Sequence, residues 1–141
     1  VEAVVPTPIA LAAALVLAGV LAVAGVAKLR HPAATARDFA ALGLPAPEVL
    51  AGAVPAAELA CAAALVLVPG WGGVAAFGLL AVFTADLAAV VRSGRVVSCA
   101  CFGAASRAPV SARHLVRNGG LLVLALAAAT IGEPIWRIDL P

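Results

Sequence analysis

Residues Val49–Val91 read VLAGAVPAAELACAAALVLVPGWGGVAAFGLLAVFTADLAAVV. They form two apolar runs divided by Pro69-Gly70. A helix that crosses a bilayer needs about 20 mostly apolar residues, because the hydrocarbon layer is about 30 Å thick and each residue rises about 1.5 Å. The runs 49–68 and 71–91 both meet that requirement. Each carries one acidic residue, Glu58 in the first and Asp86 in the second. A connection as short as Pro69-Gly70 makes the two helices antiparallel neighbours.

Two more runs lie on either side. Residues 9–28 are uncharged until Lys28, and a basic stretch through His31 and Pro32 follows. Residues 115–135 are shorter in apolar length, with Arg117 and Asn118 near the start and an expected extension through Ile135 and Trp136. The expectation is an all-α, polytopic membrane protein: a four-transmembrane-helix bundle in one domain, residues 1–141. Between the first two spans, Phe39, Leu42 and Leu44 predict a short amphipathic helix on the membrane surface, and Pro45 and Pro47 restart the chain. The first run has no basic stretch before it, so it reads as a retained span and not as a cleaved signal.

Composition supports lipid as the solvent. The chain is 65% hydrophobic and 11% charged, against about 45–50% and about 25% in soluble domains. Its mean hydropathy is +1.15. A soluble domain of this size could not hide so much apolar surface. No basic stripe carries interleaved aromatics, which argues against a nucleic-acid partner. His31 and His114 each lie near arginine at a predicted helix end and read as interfacial residues, not metal ligands.

Charge also predicts orientation. Of nine Lys and Arg residues, eight follow the first span or flank the third and fourth, and only Arg137 lies on the other side. Basic loops stay cytoplasmic. Both termini and the Pro69-Gly70 turn are therefore expected outside, and the loop between the third and fourth spans inside. Trp71 and Trp136 fall at the outer boundary, where indole rings prefer to sit.

An ionisable residue inside a span costs about 2.5–3.5 kcal/mol on insertion scales, so it calls for a partner or a function. Two readings stay open for Glu58 and Asp86. In one, they line a polar pocket with Lys28, Arg92 and Arg117, and Glu58 accepts or relays a proton. In the other, they form interhelical hydrogen bonds or ion pairs with Lys28 or Arg117. Pro55 frees a backbone carbonyl in the same helix. Cys61 lies three residues beyond Glu58 on roughly the same face; it is either inert packing or a thiol facing the pocket.

The most specific local feature is Ser98-Cys99-Ala100-Cys101-Phe102-Gly103. Two cysteines one residue apart close a disulfide only in a small strained ring, and strained disulfides are easily reduced. Arg92, Arg95 and Arg107 nearby in sequence favour thiolate, the reactive form. The competing readings are an unused reduced pair, a packed loop, or a metal site that two thiolates would leave half empty.

In their order along the chain, Gly25-Val26-Ala27-Lys28-Leu29, Phe39 with Gly43-Leu44-Pro45, Glu58, Arg92-Ser93-Gly94, Cys99-Ala100-Cys101-Phe102-Gly103 and Arg117-Asn118 resemble the MauE family, within the wider DoxX-like group of four-helix membrane proteins. The resemblance runs from about Gly25 to Leu124. It implies work beside a thioredoxin-like partner, or with a low-molecular-weight thiol, in handling disulfides during maturation of a secreted enzyme. The resemblance also implies thiol and sulfur oxidation as in related DoxX-like proteins, some of them coupled to quinone. Carried over, Cys99 and Cys101 would be the redox pair, with Glu58, Lys28 and Arg117 behind them and Phe102 and Asn118 alongside. The function expected is a membrane thiol–disulfide redox protein. Its rivals are a non-enzymatic assembly subunit and a small-solute carrier built on Glu58 and Asp86. Disulfide formation normally belongs outside the cytoplasm, whereas charge bias puts this pair inside. A transfer across the bilayer would leave Cys61 as the only further relay.

Overall fold

A computed structural model describes residues 6–94, 112–132 and 134–138. The chain is all-helical there. The helices are α1 (Thr7–Arg30), α2 (Pro32–Ala41), α3 (Pro47–Leu67), α4 (Pro69–Ser93) and α5 (Ala112–Ala129), followed by a 3-10 turn at Ile135–Arg137. The helices α1, α3 and α4 are long and apolar enough to cross a membrane. The fourth long helix, α5, packs against α4 and α1. Its first two turns carry Arg113, His114, Arg117 and Asn118, so its apolar stretch is shorter than that of the other three.

Prolines set the helix starts. Pro32, Pro47 and Pro69 each open a helix at its first turn, where the missing N–H has no intrahelical partner to lose. One residue, Val68, separates α3 from α4, and the two pack antiparallel as the short joint requires. The close approach depends on glycine. A Cβ on Gly72 would fall 2.4 Å from the Leu65 nitrogen of α3, and one on Gly73 would fall 2.4 Å from the Ala129 nitrogen of α5. Consecutive glycines thus seat α4 against both neighbours.

The main core is made of small and branched aliphatic side chains: Ala14, Leu17 and Leu21 of α1, Leu65 of α3, Ala76 and Leu80 of α4, and Ala125 and Ala128 of α5. The large apolar groups left exposed, including Ile9, Val23, Val49, Val82 and Val123, face outward. In water such a surface would be a liability; in lipid it is the expected boundary.

Two expectations change. Phe39 and Leu42 are buried, and with Leu44 they pack against Val54, Phe83, Leu87 and Val90. The short helix α2 therefore turns its apolar face onto the end of the bundle and does not lay it on the membrane surface. The bundle offers those side chains a packed wall, which lipid headgroups do not. The last helix also stops early, at Ala129, and Ile135 and Trp136 belong to the separate 3-10 turn. Gly132 and Pro134 intervene, and neither sustains a helix.

Candidate functional site

Lys28 sits two residues before the end of α1, and Glu58 near the middle of α3. Their side chains meet between the helices: Lys28 Nζ donates to Glu58 Oε1 at 2.9 Å and to Oε2 at 3.2 Å. Lys28 is 1% exposed and Glu58 2%. The contact follows from backbone geometry. Gly25 lies one turn before Lys28, and a Cβ there would come within 3.0 Å of Leu59 Cγ and 3.1 Å of the Pro55 carbonyl oxygen. Without a side chain at 25, α1 and α3 close to a distance a lysine can bridge.

A tie from α2 fixes the corner above the pair. Thr35 Oγ1 donates to the His31 carbonyl at 2.9 Å and lies 3.3 Å from the Lys28 carbonyl. A second polar contact joins α4 and α5 at the same end of the bundle. Asn118, buried, donates through Nδ2 to Thr84 Oγ1 at 3.3 Å, and Thr84 donates to the Leu80 carbonyl at 2.7 Å. Arg117 donates from Nε and Nη2 to Asn118 Oδ1 at 3.3 and 3.2 Å. The donors run in one direction, from guanidinium to amide to hydroxyl to backbone carbonyl, which orients the Asn118 amide.

The family model for methylamine utilisation protein MauE matches residues 6–131. The methylamine utilization protein MauE of Paracoccus denitrificans is 40% identical over 120 residues, which cover 81% of this chain and 64% of that protein. The chain belongs to the MauE family. It spans just under two thirds of the length of that curated relative. No solved structure matches it.

The remaining candidate residues of this MauE-family chain fall in different places. Asp86 is partly buried. With Lys28, Phe39, Leu42, Leu44, Phe83 and Leu87 it lines a crevice of about 20 Å³ beneath α2. That volume is close to the room one water molecule occupies, about 10–15 Å³. Cys61 is buried in the apolar core with Leu17, Leu21 and Leu65, one turn from the ion pair on the side away from α2. Arg92 is exposed on the last turn of α4. Cys99, Cys101 and Phe102 lie outside the described residues.

The structure thus joins Lys28 to Glu58 and Arg117 to Asn118, and it sets Asp86 beside the first pair. Thr35 and Thr84 were not anticipated. Thr84 had a usable signal, a hydroxyl inside an apolar span two residues before Asp86. Thr35 had none, since its role depends on the turn between α1 and α2.

Proposed function

We propose that this MauE-family membrane protein is a thiol–disulfide exchange component in which Cys99 and Cys101 are the redox pair. The observation that carries the reading is the buried Lys28–Glu58 pair. Its lysine lies near the end of the bundle where α4 stops at Ser93 and α5 starts at Ala112, the two anchors of the cysteine-bearing segment, and its glutamate lies midway along α3. An intramembrane ionisable pair facing a bundle interior is a functional-site hypothesis by default.

The chemistry is a two-electron exchange. A thiolate at one cysteine attacks a partner disulfide, forms a mixed disulfide and releases one partner thiolate. The second cysteine then attacks its neighbour, closes the Cys99–Cys101 disulfide and frees the second partner thiol. Run in reverse, the oxidised pair accepts two electrons from a thioredoxin-like dithiol or a small thiol, and reoxidation then requires a membrane acceptor such as quinone. In either direction protons leave or join sulfur, and on this reading Glu58, held by Lys28, is the acid–base group inside the bundle. We place the basic end, with the cysteines, on the cytoplasmic side, four spans in the bilayer and both termini outside. Trp71 and Trp136, 78% and 70% exposed, flank the opposite end, which suits a membrane–water boundary on either side.

A second reading, that of a non-enzymatic assembly subunit, draws on the closure of the same pair. An ion pair with both members sealed can serve as an interhelical tie alone. Cys61, enclosed by aliphatic side chains, offers no evident relay across the bilayer. Thiol trapping in intact and permeabilised cells tests the proposal. Trapped mixed disulfides at Cys99 or Cys101 would support it. A pair that stays reduced in every condition, with no trapped partner, would remove it.

A further inference from the structure

The Lys28–Glu58 pair is sealed, and the crevice beside it is scarcely larger than a water molecule. For the pair to exchange protons with anything outside the bundle, some covering element has to move. The element on its basic-end side is α2, ten residues long, which packs chiefly on α3 and barely on α1. Phe39, Leu42 and Leu44 of this segment form one wall of the crevice, opposite Phe83, Asp86 and Leu87 of α4.

The joints of α2 are unequal. Its first turn is tied to the end of α1 by the Thr35 hydroxyl. Its far end leaves through Gly43 at φ 82° and reaches Ala46 at φ 45°, ψ 58°. Ala46 is the one non-glycine residue at positive φ among those described. An alanine in this left-handed region is strained by contact of its Cβ with the backbone. Ala46 also precedes Pro47, and a residue before proline prefers extended backbone. The packed position of α2 therefore holds Ala46 away from its relaxed conformation, and release of α2 lets it return there.

We infer that α2 is a lid over the Lys28–Glu58 pair, hinged at His31 and latched against strain at Ala46. Its opening withdraws Phe39, Leu42 and Leu44 from α4 and admits water to the pair. This inference rests on the proton role proposed for Glu58. The lid itself is a claim about motion and stands on the packing and backbone of α2.

Substitutions at Ala46 test it in opposite directions. Glycine accepts positive φ freely, so Ala46→Gly stabilises the closed lid. Valine is a steric outlier there, so Ala46→Val favours opening. The reporter is Leu42→Cys in the full chain in phosphatidylcholine nanodiscs. It is labelled by a membrane-impermeant methanethiosulfonate and read by mass spectrometry of the α2 peptide, with exposed Ala40→Cys as the open reference. Relative to the reporter alone, labelling is expected to slow about fivefold with Ala46→Gly and to quicken about fivefold with Ala46→Val, as relief or increase of backbone strain predicts. Equal rates in all three, or Leu42→Cys as reactive as Ala40→Cys throughout, overturn the lid. If Leu42→Cys fails to fold, hydrogen exchange of the α2 amides in chains with native Leu42 must show the same order, and its absence overturns the lid equally. Labelling does not depend on Cys99 or Cys101, so failure of the redox reading appears in thiol trapping and failure of the lid appears here.

Discussion

Lys28 Nζ lies 2.9 Å from Glu58 Oε1 across the α1–α3 interface, with both side chains almost wholly enclosed. The two residues are thirty positions apart, and each neutralises a charge that the other would leave stranded. Removing one partner is expected to cost about 3–5 kcal/mol, because it leaves an unpaired buried charge. Lys28→Met and Glu58→Leu should each lower the unfolding midpoint in detergent, and the double substitution should recover most of the loss. A double mutant no more stable than the worse single mutant would show that the two side chains do not act as a pair.

The same variants separate architecture from chemistry. If Glu58 moves protons, the double Lys28→Met, Glu58→Leu chain should fold yet fail to support disulfide exchange. A folded double mutant with undiminished exchange would assign the pair to architecture alone. The measurement is trapping of mixed disulfides in cells, with the protein level in membranes as control.

Glycine packing gives a steric test. At Gly73 an added methyl meets Ala129 backbone at 2.4 Å and the Ala125 carbonyl oxygen at 2.7 Å, whereas at Gly19 nothing lies within 4 Å. Gly73→Ala is therefore expected to destabilise by about 1–3 kcal/mol, the usual cost of overpacking. Gly19→Ala should be neutral or slightly stabilising. Thermal unfolding in one detergent compares them, and equal midpoints would contradict the α4–α5 contact.

The Asn118–Thr84 bond should be worth less. Interhelical hydrogen bonds in membrane proteins average about 0.6 kcal/mol in double-mutant cycles. Thr84→Val is thus expected to shift stability far less than Lys28→Met. A loss as large as that of the ion pair would mean that the Arg117–Asn118–Thr84 chain carries more than one contact.

The cysteine pair makes the sharpest functional prediction. If the proposed exchange is this protein's function, substituting both Cys99 and Cys101 by serine should abolish thiol trapping, with the chain still inserted and folded. Full activity in the double serine variant would favour the assembly-subunit reading.

Much of the bundle was legible in the chain itself. Runs of apolar residues long enough for a bilayer located α1, α3 and α4 to within a few residues, whereas Pro69-Gly70, expected as the turn between the last two, is the first turn of α4 and the joint is Val68. Family membership was legible from the ordered short segments, with the cysteine pair the most specific among them. The face of α2 was not, because Phe39, Leu42 and Leu44 make the same amphipathic pattern whether they meet lipid or a packed helix. The end of α5 was missed for a related reason: Ile135 and Trp136 are apolar, but Gly132 and Pro134 outweigh that locally.

Glu58 could be recognised as needing a partner from its position in an apolar run. Which partner it takes could not be read. Lys28 and Arg117 both lie near the same end of the bundle, and hydropathy does not distinguish them.

Local composition, then, determined the solvent of this protein, its long helices and the residues that lipid could not tolerate alone. Tertiary packing alone decided that Lys28 takes Glu58, that Arg117 turns to Asn118, and that α2 closes over the first pair. The reason is physical: apolarity along a chain is a sum over neighbours in sequence. An ion pair depends on the approach of two backbones, and here the bare Cα of Gly25 against Pro55 and Leu59 permits it.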